Sequence, residues 1–271
     1  MSLEKKLALL KEIVAGMHSV LLAFSAGVDS TFLLKVLKDS LPKDRFLAVT
    51  ADSATFPKEE MASAKKLARE LGIRHKVIRT RELKDKKFLA NTAQRCYFCK
   101  KELFLRLRKL AAKHKLRYVA DASSISDDKD FRPGSKAKKE LGVRSPLQEA
   151  RLTKRDIRRL SKAFGLITWD KPSQACLASR IAYHIPISSA ILSRIERGES
   201  FLRRLGFREV RLRHHNGLCR IEVSRRDIPK VVRQYEAVCR GIKKLGYQFV
   251  TLDLQGYRTG TMNFLLRQKS R

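Results

Sequence analysis

The sequence is short of acid, of cysteine and of aromatic residues. Only 27 Asp and Glu stand against 60 Lys and Arg, which leaves a formal charge of +33 over 271 residues. Five cysteines are too few for a disulfide scaffold. No apolar run approaches the ~18 residues that a membrane span needs. The opening stretch, MSLEKKLALLKEI, alternates charged with apolar residues and offers neither an apolar h-region nor a cleavage site, so no signal peptide is expected. The expectation is a cytoplasmic chain whose thiols stay reduced. Low-complexity tracts and internal repeats are missing as well. What is present is 43% hydrophobic residues in periodic segments, enough for one large domain or two small ones.

The positive charge is spread evenly: +15 falls in residues 1–150 and +18 in residues 151–271. Such a field attracts polyanions, whether nucleotides, nucleic acid or an anionic membrane surface. No tail of like charge and no interleaved aromatic–basic stripe sharpens that list, and a merely solvated, highly charged surface would look the same.

The first ~165 residues alternate helix and strand. Helical spacing runs over 3–17, 29–38, 57–71, 100–114 and 153–164. Short apolar runs at 19–24 (SVLLAF), 45–50 (RFLAVT), 75–79 and 117–120 read as strands. This rhythm predicts a parallel sheet covered by helices, with its ligand site at the carboxyl ends of the strands. Residues 166–187 carry two prolines and the single Trp without a clear period, and read as a loop between domains. A helix over 188–205 follows. Strands at 209–213 and 218–223 then flank an Asn-Gly turn, and a helix over 227–245 and a strand over 247–252 complete a small α+β domain. The expected division is therefore 1–165, 166–187 as connecting loop, and 188–271.

The sharpest local signal is Ser25-Ala26-Gly27-Val28-Asp29-Ser30, between a buried strand and a helix. Small residues let the backbone turn and bring its N–H groups to an anion, and the helix that follows points its positive end at the same place. Ser25 and Ser30 add hydroxyl donors. Asp29 repels phosphate, so it suits Mg²⁺ bridging or helix capping. The GK[ST] element of a Walker loop is missing, and the string is not GxGxxG. It resembles the SGGxDS loop of the PP-loop ATP pyrophosphatases, with Ala26 at the second position. Two further stretches follow predicted strands: Asp52-Ser53 after the second, and 121–124 (DASS) after the fourth. The latter leads into 126–134 (SDDKDFRPG), where three carboxylates beside Arg132 suit a Mg²⁺ site and a phosphate clamp; an acidic surface loop is the plainer alternative.

Cys96 and Cys99 form a CYFC motif just before the predicted helix that starts at Lys100. The pair alone is compatible with zinc, with redox chemistry near a helix N-terminus, with two ligands of an iron–sulfur cluster, or with buried structural thiols. No second CxxC or HxxxH completes a zinc set. Cys176 lies 77 positions beyond Cys99 in the connecting loop, flanked by Ser173, Ser179 and Arg180, and a cation there favours the nucleophilic thiolate. Cys219 and Cys239 fall on apolar-periodic stretches and read as core.

Taken together, the loop, RCYFCK (95–100), the 121–134 segment and PSQACLASR (172–180) resemble the LarE family of ATP-dependent sulfur transferases, of the three-cysteine subtype. LGFR (205–208), RIE (220–222) and DLQGYRTG (253–260) extend the resemblance along nearly the whole chain. The resemblance implies a PP-loop domain with a smaller α+β domain, and adenylation of the carboxylates of pyridinium-3,5-biscarboxylic acid mononucleotide by ATP and Mg²⁺. It further implies displacement of AMP by sulfur, to give thiocarboxylates for a nickel-pincer cofactor. In members with three such cysteines it implies a [4Fe-4S] cluster, here on Cys96, Cys99 and Cys176; members with the last cysteine alone sacrifice its sulfur. Ser25, Gly27, Val28, Asp29, Ser30, Asp52, Ser53, Lys100, Ser124 and Arg132 become the expected nucleotide contacts. Ser179, Arg180, Arg213, Arg220 and Glu222 become the expected contacts of a small anionic nucleotide substrate; surface ion pairs are the plain alternative for Arg213, Arg220 and Glu222. A homo-oligomer is also implied. The chain departs from the family at Asp121-Ala122-Ser123-Ser124, where DGTN is usual, and at 214–218 (HHNGL), where an acidic residue is usual. A tRNA thiolase of the same superfamily, and a non-catalytic basic nucleotide-binding protein, are the competing expectations.

Overall fold

A computed structural model describes residues 1–127, 133–172, 175–258 and 260–263. It divides into two compact units, one of residues 1–82 with 96–174 and one of residues 83–95 with 175–271. Arg132 and Ser173 of the sequence expectations lie outside the described residues, as do Asp128 and Asp130. Among the described residues no helix is long and apolar enough to cross a membrane.

The first unit is built on four parallel strands, β1 (Val20–Ala23), β2 (Phe46–Asp52), β3 (His75–Arg79) and β4 (Tyr118–Ala120), in the order β3-β2-β1-β4. β1 and β2 are central and read as near-continuous apolar runs because both of their faces are covered. β3 lies at an edge, and its Lys76 and Arg79 give that edge the charge that discourages pairing with another chain. Strand order reverses between β1 and β4, so the open crevice of this sheet lies at their carboxyl ends. The loop that begins at Ser25 and the segment that begins at Asp121 both start there.

The covering helices follow their sequence signals. Helix Leu3–Met17 is capped by Ser2, whose hydroxyl accepts from the Lys5 N–H, and it buries the stripe Leu10, Val14 and Met17. Helix Lys154–Ala163 starts with a full capping box between Thr153 and Asp156. Phe32, Leu33, Leu37, Phe46, Ile157 and Leu160 meet in the core that this layer shares with the sheet. Two departures stand out. The helix expected from Lys100 begins at Arg95 and runs to Lys113, so CYFC forms its first turn rather than preceding it. Short helices at Gly134–Glu140 and Pro146–Glu149, too brief to show a period, follow β4.

The second unit carries β5 (Val210–His215), β6 (Leu218–Val223) and β7 (Phe249–Leu252), with β6 antiparallel to β5 and parallel to β7. The expected hairpin is present, with Asn216 at φ 55° in its turn. Helix Ser189–Arg204, capped by Ser188, packs on β5. The helix expected over 227–245 is two helices, Ile228–Arg233 and Tyr235–Lys243. They break at Gln234, whose N–H is shared between the Lys230 and Val231 carbonyls at 3.1 Å each. Gly241 is required by close approach, since a Cβ there would lie 2.2 Å from the Phe201 ring.

The unit boundaries differ from the expected division for a local reason. The Asn91 side chain donates to the carbonyls of Ala182 (2.8 Å) and Ile185 (2.9 Å), and the Ile187 N–H donates to the Leu89 carbonyl (2.9 Å). These bonds bind 83–95 to the second unit, with Asn91 wholly buried. Such a pairing of segments ninety residues apart leaves no periodic trace. The stretch expected as one loop, 166–187, is shared between the units, and it contains a 3₁₀ turn at Leu177–Arg180.

Candidate active site

At the carboxyl end of β1 the chain turns through Ser25, Ala26 and Gly27 into helix Val28–Ser40. Gly27 is the N-cap and supplies no side-chain acceptor, so the first N–H groups of the helix lack a side-chain cap. The two serines close the loop on itself. The Ser25 N–H donates to the Ser30 hydroxyl (3.3 Å), the two hydroxyls share a hydrogen bond (3.1 Å), and the Ser30 hydroxyl donates to the Gly27 carbonyl (3.3 Å). Val28 and Ser30 are buried beneath it.

A cavity of about 120 Å³ opens over this loop. It is lined by Ser25, Gly27 and Asp29 and, from elsewhere in the unit, by Glu60, Lys154, Arg158 and Lys171. These three cations were not singled out by the sequence, since they are three among sixty. Asp29 is paired with Lys154 through Oδ2, while its buried Oδ1 has no hydrogen-bond partner among the described residues. Burial pushes the Asp29 carboxyl above its ordinary range, and the Lys154 ammonium pulls it partly back. An acidic oxygen left open beside a phosphate cradle suits a divalent cation, whereas the capping alternative for Asp29 is not realised.

The other expected nucleotide contacts divide. Asp52 is exposed, with Arg79 Nε 4.0 Å away. The Ser53 hydroxyl is hydrogen-bonded to Thr55 (2.8 Å) and to buried Glu82. Ser124 is fully buried, and both its N–H (2.7 Å) and its hydroxyl (3.2 Å) donate to Asp127, so it is a structural anchor rather than an open ligand. The same bonds commit Asp127, one of the three carboxylates expected to serve a metal. Beside them Asp121 accepts from Ser145 (2.7 Å) and pairs with Lys138 (3.2 Å). Burial opposes its ionisation, but Lys138 and Ser145 outweigh it and hold the carboxyl below its ordinary range. Lys138 carries no local sequence signal, because it sits on a short helix without a readable period. Lys100 flanks this group, and a Cβ on Gly134 would lie 2.9 Å from its Cγ and 3.4 Å from the Cys96 carbonyl. The glycine of Arg-Pro-Gly therefore lets the short helix press onto the turn that carries Cys96.

Cys96 and Cys99 are half-buried in the first turn of their helix, at a spacing that puts both on one face near its positive end. Cys176 belongs to the second unit, is exposed, and stands at the N-cap of the Leu177–Arg180 turn. Cys219 is core as expected, whereas Cys239 is half-buried. Among the described residues no three His, Cys, Asp or Glu side chains form a metal-holding group.

Arg180 does something other than expected. It is wholly buried and makes a two-pronged pair with Glu199, Nε to Oε1 at 2.8 Å and Nη2 to Oε2 at 3.2 Å. Its Nη1 donates to the carbonyls of Ala175 (2.6 Å) and Cys176 (3.1 Å) and to the Ser179 hydroxyl (3.0 Å). It thus holds the backbone around Cys176 with no guanidinium edge left for a substrate, while its charge still acts on the Cys176 sulfur as expected. Burial opposes the charge on Glu199, yet Arg180 holds its carboxyl below the ordinary range. Ser179 also donates to the Cys176 carbonyl (2.7 Å). Glu222 is fully buried between Arg213 (2.7 Å) and Arg220 (3.2 Å), so these are not surface pairs. Arg211, buried nearby, was missed by the sequence reading. Five guanidinium groups, 180, 203, 211, 213 and 220, face three carboxylates, 199, 222 and 253. The surplus positive charge suits an anion.

Comparison with known proteins decides the family. A sequence model of the NAD synthase family matches residues 3–116. The chain is 37% identical to pyridinium-3,5-bisthiocarboxylic acid mononucleotide synthase of Lactiplantibacillus plantarum, over 97% of this chain and 95% of that one. The chain belongs to the LarE family. Two further proteins, both described only as uncharacterized, are similar as well. One from Synechocystis sp. is 40% identical over 97% of this chain and 99% of its own, and one from Methanocaldococcus jannaschii is 29% identical over 89% and 91%. The fold agrees with LarE membership: a parallel α/β sheet with a phosphate loop after its first strand, and a smaller unit with its own sheet.

Proposed function

We propose that this protein is an ATP-dependent sulfur transferase that converts the carboxylates of pyridinium-3,5-biscarboxylic acid mononucleotide into thiocarboxylates. The observation that carries the reading is near full-length similarity to a synthase of the bisthiocarboxylic product, joined to a phosphate loop faced by three cations at the sheet's switch point.

In this reading the Ser25–Ser30 loop, with Lys154 and Arg158, takes the β- and γ-phosphates of ATP, and Asp29 holds Mg²⁺. A substrate carboxylate attacks the α-phosphorus, its oxygen–phosphorus bond forms, and pyrophosphate leaves. The acyl adenylate carries AMP, a far better leaving group than oxide, and the cations neutralise charge that develops on the phosphates. A sulfur nucleophile then displaces AMP. The buried arginine group around Glu199 and Glu222 receives the phosphate of the substrate nucleotide, with Arg213 and Arg220 as contacts and Arg180 as support.

The family likeness extends the proposal to a [4Fe-4S] cluster on Cys96, Cys99 and Cys176; in support, Cys96 and Cys99 lie outside disulfides and share one helical turn at its positive end. A cluster held by three cysteines leaves one iron without a protein ligand, which supplies a place to carry transferable sulfur. Anaerobic purification with iron and sulfide analysis tests this: wild type carries iron and Cys96→Ala loses it. An iron-free protein whose mass has fallen by one H₂S after turnover would mean that Cys176 is consumed instead. Pyrophosphate release that does not depend on the biscarboxylic nucleotide would overturn the substrate assignment. The +33 charge keeps a second reading in view, a tRNA thiolase. It predicts tRNA affinity that falls steeply with salt, and thiolated tRNA as product.

A further inference from the structure

Ala26 holds an unusual conformation. Its φ of 54° is left-handed, and its methyl group is wholly buried in the sheet–helix core. A side chain in that region of backbone space costs roughly a fivefold to thirtyfold disadvantage relative to glycine. The internal bonds of the loop involve Ser25, Gly27 and Ser30 and leave the Ala26 carbonyl aside. That carbonyl is taken by the Lys171 ammonium, 145 positions later in the chain, at 3.2 Å.

Lys171 is itself fixed at both ends. Its ammonium is held by Glu60 Oε2 at 2.7 Å. Its own carbonyl accepts from Arg158 Nη2 (2.8 Å), and the Trp169 carbonyl accepts from Arg158 Nη1 (2.9 Å). Glu60, Lys171 and Arg158 all line the cavity over the loop.

We propose that Lys171 is a positioning residue of the phosphate loop, which holds the Ala26–Gly27 peptide in its one productive orientation. The Ala26 carbonyl and the Gly27 N–H lie in one rigid trans plane and point opposite ways, so a fixed carbonyl fixes the N–H. Glycine at this position populates the left-handed region without help; alanine needs an external hold, and Lys171 provides it. The inference rests on the proposed ATP site only for what the loop receives.

The test uses the full-length chain and the Lys171→Met substitution, made alone and in an A26G background. Two quantities are read: amide exchange of residues 25–30 without ligand, and affinity for α,β-methylene-ATP with Mg²⁺. Lys171→Met alone is expected to raise loop exchange and weaken the analogue by roughly five- to thirtyfold. In the A26G background the same substitution costs at least threefold less on both scales. Glu60→Gln, which loosens the ammonium without removing it, gives a smaller change of the same sign, and serves if Lys171→Met does not fold. Unchanged loop exchange in Lys171→Met would mean that burial of the methyl group alone holds the loop. Equal loss of affinity in both backgrounds would mean that Lys171 contacts only the nucleotide. Either result overturns the proposal. A wild-type protein that fails to bind the analogue would sink the ATP assignment, while the exchange comparison still decides the role of Lys171.

Discussion

Replacement of Arg180 by methionine should cost the second unit about 3–5 kcal/mol. The figure follows from what the change leaves behind. Glu199 is almost fully buried, and Arg180 covers both of its oxygens; among the described residues, a buried carboxylate without it keeps the Leu212 N–H at 3.1 Å, a more distant Arg203 at 3.6 Å and the field of Arg211. Breaking one side of a buried pair typically costs about that much, whereas replacing both sides by apolar groups is often nearly neutral. Arg180→Met with Glu199→Leu should therefore recover most of the loss, to within about 1–2 kcal/mol of wild type. The backbone effect should not recover. Both variants lack the guanidinium that covers the Ala175 and Cys176 carbonyls, so the Leu177–Arg180 turn loses its anchor in each. Urea titration read by hydrogen exchange at β5 and β6 reports the stability of this unit, and exchange at residues 177–181 reports the turn. A single variant within about 0.5 kcal/mol of wild type would refute the reasoning. So would a double variant as unstable as the single one, or a turn that stays protected in both.

Two further outcomes are expected. Burial, with a contribution from Arg194, pushes His214 down to about 4 from its ordinary 6.5, and the ring bonds Tyr247 at 3.2 Å. Between those values the unfolded chain takes up a proton that the folded chain refuses. Stability is therefore full above pH 6.5 and falls by up to about 3 kcal/mol as pH drops to 4; a melting profile that keeps the same slope in His214→Asn would contradict this. Asp29→Asn keeps the shape of the side chain but removes the charge set beside the loop. ATP affinity in Mg²⁺ should fall by about tenfold or more (~1.4 kcal/mol) while affinity in EDTA changes little, and an equal drop in both conditions would argue against a cation on Asp29.

The local chemistry of this chain was legible in one dimension. The strand–loop–helix at 20–40, the helix over 153–164, the Asn-Gly hairpin and the alternation that makes a parallel sheet all rest on neighbours within a few positions. Each is dictated by hydrogen bonding and hydrophobic period over such short spans. The pair Cys96 and Cys99 was legible for the same reason, as was the phosphate loop. What tertiary structure alone decided are the partners that arrive from far along the chain. Lys154 and Lys171 reach the loop across 125 and 145 positions, Asn91 draws 83–95 into the second unit, and Arg180 turns inward to Glu199 and the Cys176 backbone. In a sequence with sixty cations, no local pattern says which of them will be buried against a carboxylate and which will remain in water. That choice is made when the core closes, because a charge can leave solvent only where folding has already placed its partner.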